Sequence, residues 1–504
     1  MRLLRYLATF VVAFLCIGTY AQDEKRSFTH TVERGETIFS ISKMYDVSED
    51  DILKLNGRTD RKIFAGETLL IPNSGLFHTI APGETLYQLS KTYGVTVDDI
   101  CRKNPGLSAE NFKAGQVIVI PQKAQASDAT DTAPVHEQSV TDDAAKPSGR
   151  VSRQPNAVDI ALVMPMTKSG GEKKRIVEFY EGMLVGIYDG KQRGVSVNLD
   201  VFDLNAKPIS AVLKDARLKE ADLIIGPFDE NEIHKLSEFS KQQSIPLLIP
   251  FTSDVDDVFG NPNLFQINTP QSYLYSDVYE CFVEKFKDAN VIFINDSKSN
   301  DKKAFIDGLQ HELVKNGIKY GSVSKSELQS VKSLIVENRA NVIVPNTGDN
   351  IFLSEIMPVL QNIVRSDEML QLHLFGYPEW QTYTHDYLSE FYELDTYFFT
   401  SFYANMLSKE SSLFANKYQS WYKKEFMNTY PKYGMLGYDL INYFLPYLWK
   451  YGDDFYEHLN TLPFTPVQTG FKFERVNNWG GFLNRKVFFV HFSRDFGLSI
   501  VDFE

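Results

Sequence analysis

The sequence predicts a multidomain α/β and α+β chain: two small βααβ modules, then a two-lobed α/β domain built on parallel sheets. Three observations predict it. One segment near the amino end occurs twice in register, a run of small and polar residues follows, and the long remainder alternates short apolar runs with amphipathic helical patterns. At 504 residues the chain exceeds what a single core supports. A composition 43% hydrophobic and 23% charged is that of a folded globular protein. The formal charge of −13 repels phosphate backbones, so nucleic acid is not expected as a partner.

At the amino end Arg2 and Arg5 precede an apolar run from Leu7 to Ile17 and the small residues of Thr19-Tyr20-Ala21. This is the pattern of a secretory signal peptide over 1–21, and it places the mature chain in the periplasm or cell envelope. Leu15 stands before Cys16 where a lipoprotein signal needs a small residue. No later run reaches the roughly 18 uninterrupted apolar residues of a membrane helix, so no transmembrane segment is expected after cleavage. Cys101 and Cys281 then remain, and both are expected as buried thiols.

The duplicated segments cover 28–73 and 77–122. Gly35, Thr37, Tyr45, Val47, Ile52 and Asn56 recur as Gly83, Thr85, Tyr93, Val95, Ile100 and Asn104, and one inserted residue then shifts Gly66 and Pro72 to Gly115 and Pro121. Each opens with strand-like alternation (His30, Val32; His78, Ile80) and a Gly-Glu-Thr turn. Ile38, Ile41 and Tyr45, and likewise Leu86, Leu89 and Tyr93, fall at helical spacing. Ser48 before Asp51, and Thr96 before Asp99, predict the cap of a second short helix. A closing strand over 68–71 or 116–120 ends at proline.

With the Gly-Glu-Thr turn, the capped second helix, the asparagine and the terminal Gly-x-x-Leu/Ile-x-Ile-Pro in order twice, both units resemble the LysM family. That resemblance implies binding to the N-acetylglucosamine glycan of peptidoglycan through two adjacent loops. They map onto Gly35, Glu36, Thr37, Ile38, Asn56, Gly57 and Ile63, and onto Gly83, Glu84, Thr85, Leu86, Asn104, Pro105 and Gly106. Acetamido groups need backbone partners and sugar faces need apolar contact. The same residues also have structural uses: glycine for the turn, threonine to cap a helix, asparagine to end one. Two weak grooves on one chain gain from effective concentration.

The segment 123–157, rich in Ala, Ser, Asp, Thr, Lys and Pro, predicts a disordered linker that lets the sugar-binding head and the rest act independently. In 158–504, strands are legible at 159–164, 197–202, 221–225, 246–249, 290–294, 341–344 and 371–375, with a helix over 176–187. The aromatic stretch 377–456 reads as core. In order, VDIALVMPMT, EFYEGMLVGIYDG, ADLIIGPFDENEIHKLSEFSKQQSIPLLIPFTSD, NPNLFQINTP, ANVIFINDSK and GMLGYDLINYFL resemble the type I periplasmic-binding-protein fold of amino-acid receptors.

By that resemblance a ligand cleft lies at the carboxyl ends of strands, with Thr167, Asn231, Thr252 and Ser253 from lobe one and Asp296, Ser297, Asn346 and Thr347 from lobe two. Phe228-Asp229-Glu230-Asn231 departs from the family's serine-containing loop, and its acids would repel a ligand carboxylate. Gly226-Pro227 followed by a helix is similar to outer-membrane activators of penicillin-binding proteins. Two functions follow: a sensor of a small solute or muropeptide held at the wall, or a wall-tethered scaffold docking on an envelope protein complex. No catalytic residue is expected. His311-Glu312 has Lys315 where a second zinc-binding histidine would stand, and there is no Gly-x-Ser-x-Gly, P-loop or Gly-x-Gly-x-x-Gly. No metal and no cofactor are implied.

Overall fold

The computed structural model describes residues 27–73, 77–107, 111–121, 157–166, 171–299 and 301–503. The signal peptide over 1–21 and nearly all of the 123–157 linker lie outside the described residues.

The first repeat runs β1 (Ser27–Thr31), α1 (Ile38–Tyr45), α2 (Glu49–Leu55) and β2 (Thr68–Pro72), with β1 antiparallel to β2. The second runs β3 (Phe77–Thr79), α3 (Leu86–Tyr93), α4 (Val97–Lys103) and β4 (Val117–Val119), again antiparallel. The expected caps form. Ser48 Oγ accepts from the Asp51 amide at 3.1 Å and Thr96 Oγ1 from the Asp99 amide at 3.0 Å. Ile41, Ile52 and Ile71 are buried in the first core, and Leu89, Ile100 and Ile120 hold the same places in the second.

Lobe one begins with β5 (Val158–Met164), α5 (Gly171–Gln192), β6 (Val197–Asp203), β7 (Leu223–Ile225), α6 (Glu230–Gln243), β8 (Leu247–Ile249) and β9 (Leu264–Gln266). Lobe two follows with α7 (Gln271–Phe286), β10 (Asn290–Asn295), α8 (Lys303–Lys315), β11 (Tyr320–Ser324), β12 (Asn341–Pro345), α9 (Asn350–Ser366), β13 (Leu372–Gly376), α10 (Thr384–Glu393) and β14 (Thr396–Thr400). The chain returns to lobe one for α11 (Lys409–Tyr422), α12 (Tyr433–Tyr451), β15 (Phe473–Arg475) and β16 (Phe482–Asn484). It ends in lobe two with β17 (Phe488–Phe492) and β18 (Leu498–Asp502).

The two 7-stranded sheets have the orders β15-β16-β9-β8-β7-β5-β6 and β11-β10-β12-β13-β14-β17-β18. In each, the first five strands of the lobe are parallel, and in each the second strand lies outside the first. That reversal of direction opens a crevice beside the first strand at its carboxyl end. The strands β7, β8 and β12 are buried along their whole length, as contiguous apolar runs between two helical layers must be.

Helices α5 and α12 fasten lobe one. A Cβ on Gly182 would strike the backbone carbonyl of Gly434, so glycine at both positions lets the helix backbones touch. Buried Glu178 accepts from the Gly434 amide at 3.2 Å and the Met427 amide at 2.6 Å, closing the amino end of α12. Tyr443, Phe444, Tyr447 and Leu448 are buried, as the helical spacing predicts.

The expectation that a linker keeps the repeats apart from the large domain is corrected. The first repeat packs on both lobes. Its core is continuous with that of lobe one, and Tyr45 and Phe77 reach Trp479 of the β15–β16 turn with ring centroids 5.8 and 5.4 Å apart. Lys43 pairs with Asp256 of lobe one at 2.8 Å and Arg34 with Glu280 of lobe two at 2.6 Å. The linker composition governs how far the chain can reach. It says nothing about which surfaces are complementary once it has.

Candidate functional site

The Gly-Glu-Thr turn is built the same way twice. Gly35 and Gly83 sit at φ +87° and +86°, a conformation that disfavours other side chains. Thr37 and Thr85 cap α1 and α3, accepting from the Ser40 amide at 3.0 Å and the Gln88 amide at 3.2 Å. Glu36 Oε2 accepts from the Glu33 amide at 2.6 Å and lies 2.7 Å from His30 Nε2, while Tyr45 Oη lies 2.7 Å from His30 Nδ1. Glu84, Ala81, His78 and Tyr93 repeat the arrangement at 2.7, 2.7 and 2.9 Å. The glutamates therefore turn inward and brace the turn. A signal for this lay in the sequence: histidine, glutamate and tyrosine recur together in both repeats.

The asparagines are committed in the same way. Asn56 Nδ2 donates to the carbonyls of Ile52 and Leu70 at 2.8 and 2.7 Å, and its Oδ1 accepts from the Leu70 amide at 2.8 Å. Asn104 does so with Ile100 and Val119. Each ties the second helix to the closing strand. What the turns offer a ligand is thus their backbone, the glycine, and the loop before the closing strand, with Ile63 and, at the matching position of the second repeat, Phe112. Phe112 was not among the residues the sequence singled out.

The surroundings differ. Gly83 is exposed with nothing within 4 Å of an added Cβ, Leu86 is half-buried and Pro105 exposed; Gly106 donates its amide to the Asn478 carbonyl at 2.7 Å. In the first repeat Ile38 is buried, Gly57 is exposed, and a Cβ on Gly35 would lie 2.6 Å from Tyr273 of α7. Beyond that contact the turn and the 61–65 loop stand off from lobe two, leaving a hollow of about 390 Å³ whose far wall includes Tyr275, Ser276 and Tyr279 of α7 and Asp307 and His311 of α8. Gly308, inside α8, leaves room for the Tyr279 hydroxyl. An interior helical glycine costs about 1 kcal/mol relative to alanine, so the position of that ring has a structural cost.

At the strand ends of the large domain, Thr167 lies outside the described residues. Asn346 Nδ2 donates to the Asp296 carbonyl at 3.0 Å and its Oδ1 accepts from the Asp296 amide at 2.8 Å. The Lys298 amide and Lys325 hold the Asp296 carboxyl below the usual carboxylate range. Thr347 Oγ1 lies 3.0 Å from Ser299 Oγ and accepts from the Asp349 amide. Ser297 is exposed. In lobe one Thr252 Oγ1 accepts from the Asp254 amide at 3.0 Å, and the Ser253 carbonyl accepts from Gln266. Asp229 caps α6, leaving Asn231 exposed in its first turn. Phe251 stands between Phe228 and Tyr433, with centroids 6.3 and 5.8 Å away. Of the described cleft candidates, Asp296, Asn346, Thr347 and Thr252 have side-chain hydrogen-bonding groups engaged by the protein itself, and Asn231 and Ser297 are exposed. Among the described residues no His, Cys, Asp or Glu grouping could hold a metal ion.

Residues 30–72 and 78–121 match the LysM domain model, so the chain carries two LysM domains. No curated protein matches the chain. Among solved structures, a putative branched-chain amino acid ABC transporter from Rhodospirillum rubrum is similar at 13% identity over 68% of this chain and 100% of its own, with a TM-score of 0.49. The branched chain amino acid ABC transporter periplasmic ligand-binding protein of Burkholderia xenovorans LB400 is similar at 14% identity over 68% and 94%, TM-score 0.43. Full-length LpoA from Haemophilus influenzae is similar at 16% identity over 70% of this chain and 60% of its own, TM-score 0.42. The large domain is thus two lobes, each with a mostly parallel 7-stranded sheet in which the second strand lies outside the first, and it is similar in fold to these binding proteins.

Proposed function

We propose that this chain is a non-catalytic protein of the periplasm or cell envelope that binds the N-acetylglucosamine glycan of peptidoglycan through its LysM domains. The observation that supports this most directly is the open turn of the second repeat, where Gly83 is exposed and an added Cβ would meet nothing within 4 Å. The first repeat's turn faces lobe two instead, so the two grooves do not present equally to an insoluble strand.

For the large domain the sensor and scaffold readings differ in what the strand ends must do. A small solute needs unengaged donors there, whereas Asn346, Thr347 and Asp296 already bond within the protein and Phe228, Phe251 and Tyr433 cluster on the other lobe. This favours a wall-held scaffold that docks on an envelope protein complex.

The test is co-sedimentation of the full chain with purified peptidoglycan. Gly83→Asn adds a side chain that tolerates positive φ, and Ala114→Glu adds one to the facing loop. The double variant is expected to cut the retained fraction at least fivefold with an unchanged melting curve. Undiminished retention would remove the second repeat from the glycan site. In a thermal-shift screen with amino acids and muropeptides no stabilisation from the interlobe cleft is expected; a shift abolished by Asn346→Ala would restore the solute-sensor reading.

A further inference from the structure

We propose that the hollow between the first repeat and lobe two is a two-walled binding site for a short, uncharged stretch of N-acetylhexosamine glycan. The proposal rests on the glycan-binding reading above and adds to it lobe two's share of the site. Here Tyr273 packs directly against Gly35 and so fixes the distance at which the rest of the turn faces α7 and α8. The resulting 390 Å³ falls within the roughly 300–1,000 Å³ of small-ligand pockets.

The walls divide the work that a sugar of this kind requires. The repeat brings the backbone of Arg34 and Gly35, suited to acetamido groups, the amides of Glu33, Glu36 and Thr37 being bonded within the turn, and Phe64 at one rim. Lobe two brings the rings of Tyr275 and Tyr279, suited to the apolar faces of a pyranose, and the carboxylate of Asp307 for its hydroxyls. Charge argues for a neutral occupant. Every cation on the walls already has an anion: Arg34 with Glu280 at 2.6 Å, Arg61 with Glu49 at 3.0 Å, Lys62 with Asp307 and Lys315 with Glu312, each at 3.5 Å. A ligand bearing several carboxylates would meet no surplus of positive charge.

Length is limited too. The Arg34–Glu280 pair and the stack of Phe64 on His311, centroids 3.7 Å apart, both cross from the repeat to lobe two. Of the residues in these ties, Arg34, Phe64 and His311 line the hollow, which suits the site to a strand end or a released fragment rather than a strand running on through it. His311 and Glu312, unsuited to zinc, thereby acquire a place on the wall of this hollow.

The test is isothermal titration of the full chain with the β-1,4-linked tetramer of N-acetylglucosamine. Wild type is expected to show two sites, one of which the Gly83→Asn, Ala114→Glu double variant removes. Ser276→Trp and Ala304→Trp, on different helices of lobe two, each fill the hollow and are expected to weaken the remaining site at least tenfold. Asp307→Asn, which preserves shape, should weaken the same site about threefold and covers the case in which a tryptophan variant melts early. Wild-type affinity in all three lobe-two variants would overturn the proposal, as would tighter binding, which would mean that lobe two only obstructs the groove. No binding by wild type at all is a different result: it would refute the glycan reading itself and this inference with it.

Discussion

In the first repeat the ring of Tyr45 is 2% exposed and lies against Trp479, whereas Tyr93, its counterpart in the second, is 39% exposed although it makes the same bond to the same histidine. The contrast extends along the whole unit. Met44 is buried where Thr92 is exposed, Ile38 is buried where Leu86 is half-buried, and Gly35 lies against Tyr273 where Gly83 faces open space. The internal bonds of the module are the same in both copies, whereas their outer faces meet different surroundings. One copy became part of the large domain's core, and the other kept its turn in solvent. The same motif therefore serves two purposes, set by what surrounds it.

The comparison can be broken most severely at Tyr273. This residue is buried, and its ring is the platform on which the Gly35 turn rests. Tyr273→Ala is expected to destabilise the docked first repeat by about 3–5 kcal/mol, the usual cost of deleting a buried aromatic ring. Urea unfolding followed by tryptophan fluorescence would read the loss through Trp479, with protease cleavage appearing within 27–73 before the large domain unfolds. The second repeat has no such platform. It is attached through the Gly106 amide to the Asn478 carbonyl, through Asn478 Nδ2 to the Val117 carbonyl at 3.0 Å, and through the ring of Phe77 beside Trp479. Asn478→Ala should cost only about 1 kcal/mol. Equal losses in the two variants would show that the repeats are docked alike.

A smaller effect separates the paired glutamates. Glu36→Ala leaves the buried His30 and the Glu33 amide without their acceptor, which should cost about 2–3 kcal/mol. Glu84→Ala removes the equivalent bonds where water can replace them, and about 1 kcal/mol is expected. Chemical denaturation of the two single variants measures the difference. A reversed order would mean that burial of the first repeat is not what distinguishes them.

Much of the architecture was legible because it is local. The Gly-Glu-Thr turn, the Ser48 and Thr96 caps and the helical spacing of Tyr443, Phe444 and Tyr447 each draw on residues within a few positions of one another. The strands β5, β7, β8, β10, β12 and β13 were found as contiguous apolar runs, since central parallel strands are buried on both faces. The edge strands β11 and β18 were missed, their residues YGSVS and LSIVD being largely polar or alternating, and so were the three-residue strands β9, β15 and β16 and the aromatic-rich buried strands β14 and β17, which are too short or too rich in phenylalanine to stand apart from the runs around them. The turns that the LysM resemblance assigns to glycan form where that resemblance places them, yet their side chains are mostly occupied within the fold. What covers the first of them was not legible at all. Tyr273, Trp479 and His311 lie far from 28–73 in the chain, and complementarity between distant surfaces leaves no periodicity to read.

The smallest effect tests whether charge or shape holds the first repeat in place. Lys43 and Asp256 form a pair at 2.8 Å between α1 and the turn after β8, both partly exposed. Pairs of this kind contribute about 0–1 kcal/mol and weaken as salt screens them. Asp256→Asn is therefore expected to lower the stability of the docked repeat by under about 1 kcal/mol, with the difference from wild type shrinking between about 0.05 and 0.5 M salt. The ring contacts of Tyr45 and Phe77 with Trp479 do not depend on ionic strength, so the wild-type protein should remain docked throughout that range. Release of the first repeat at high salt, read as new cleavage within 27–73, would instead make the ion pairs the principal fastening, and would turn the contrast between the two repeats into one of charge.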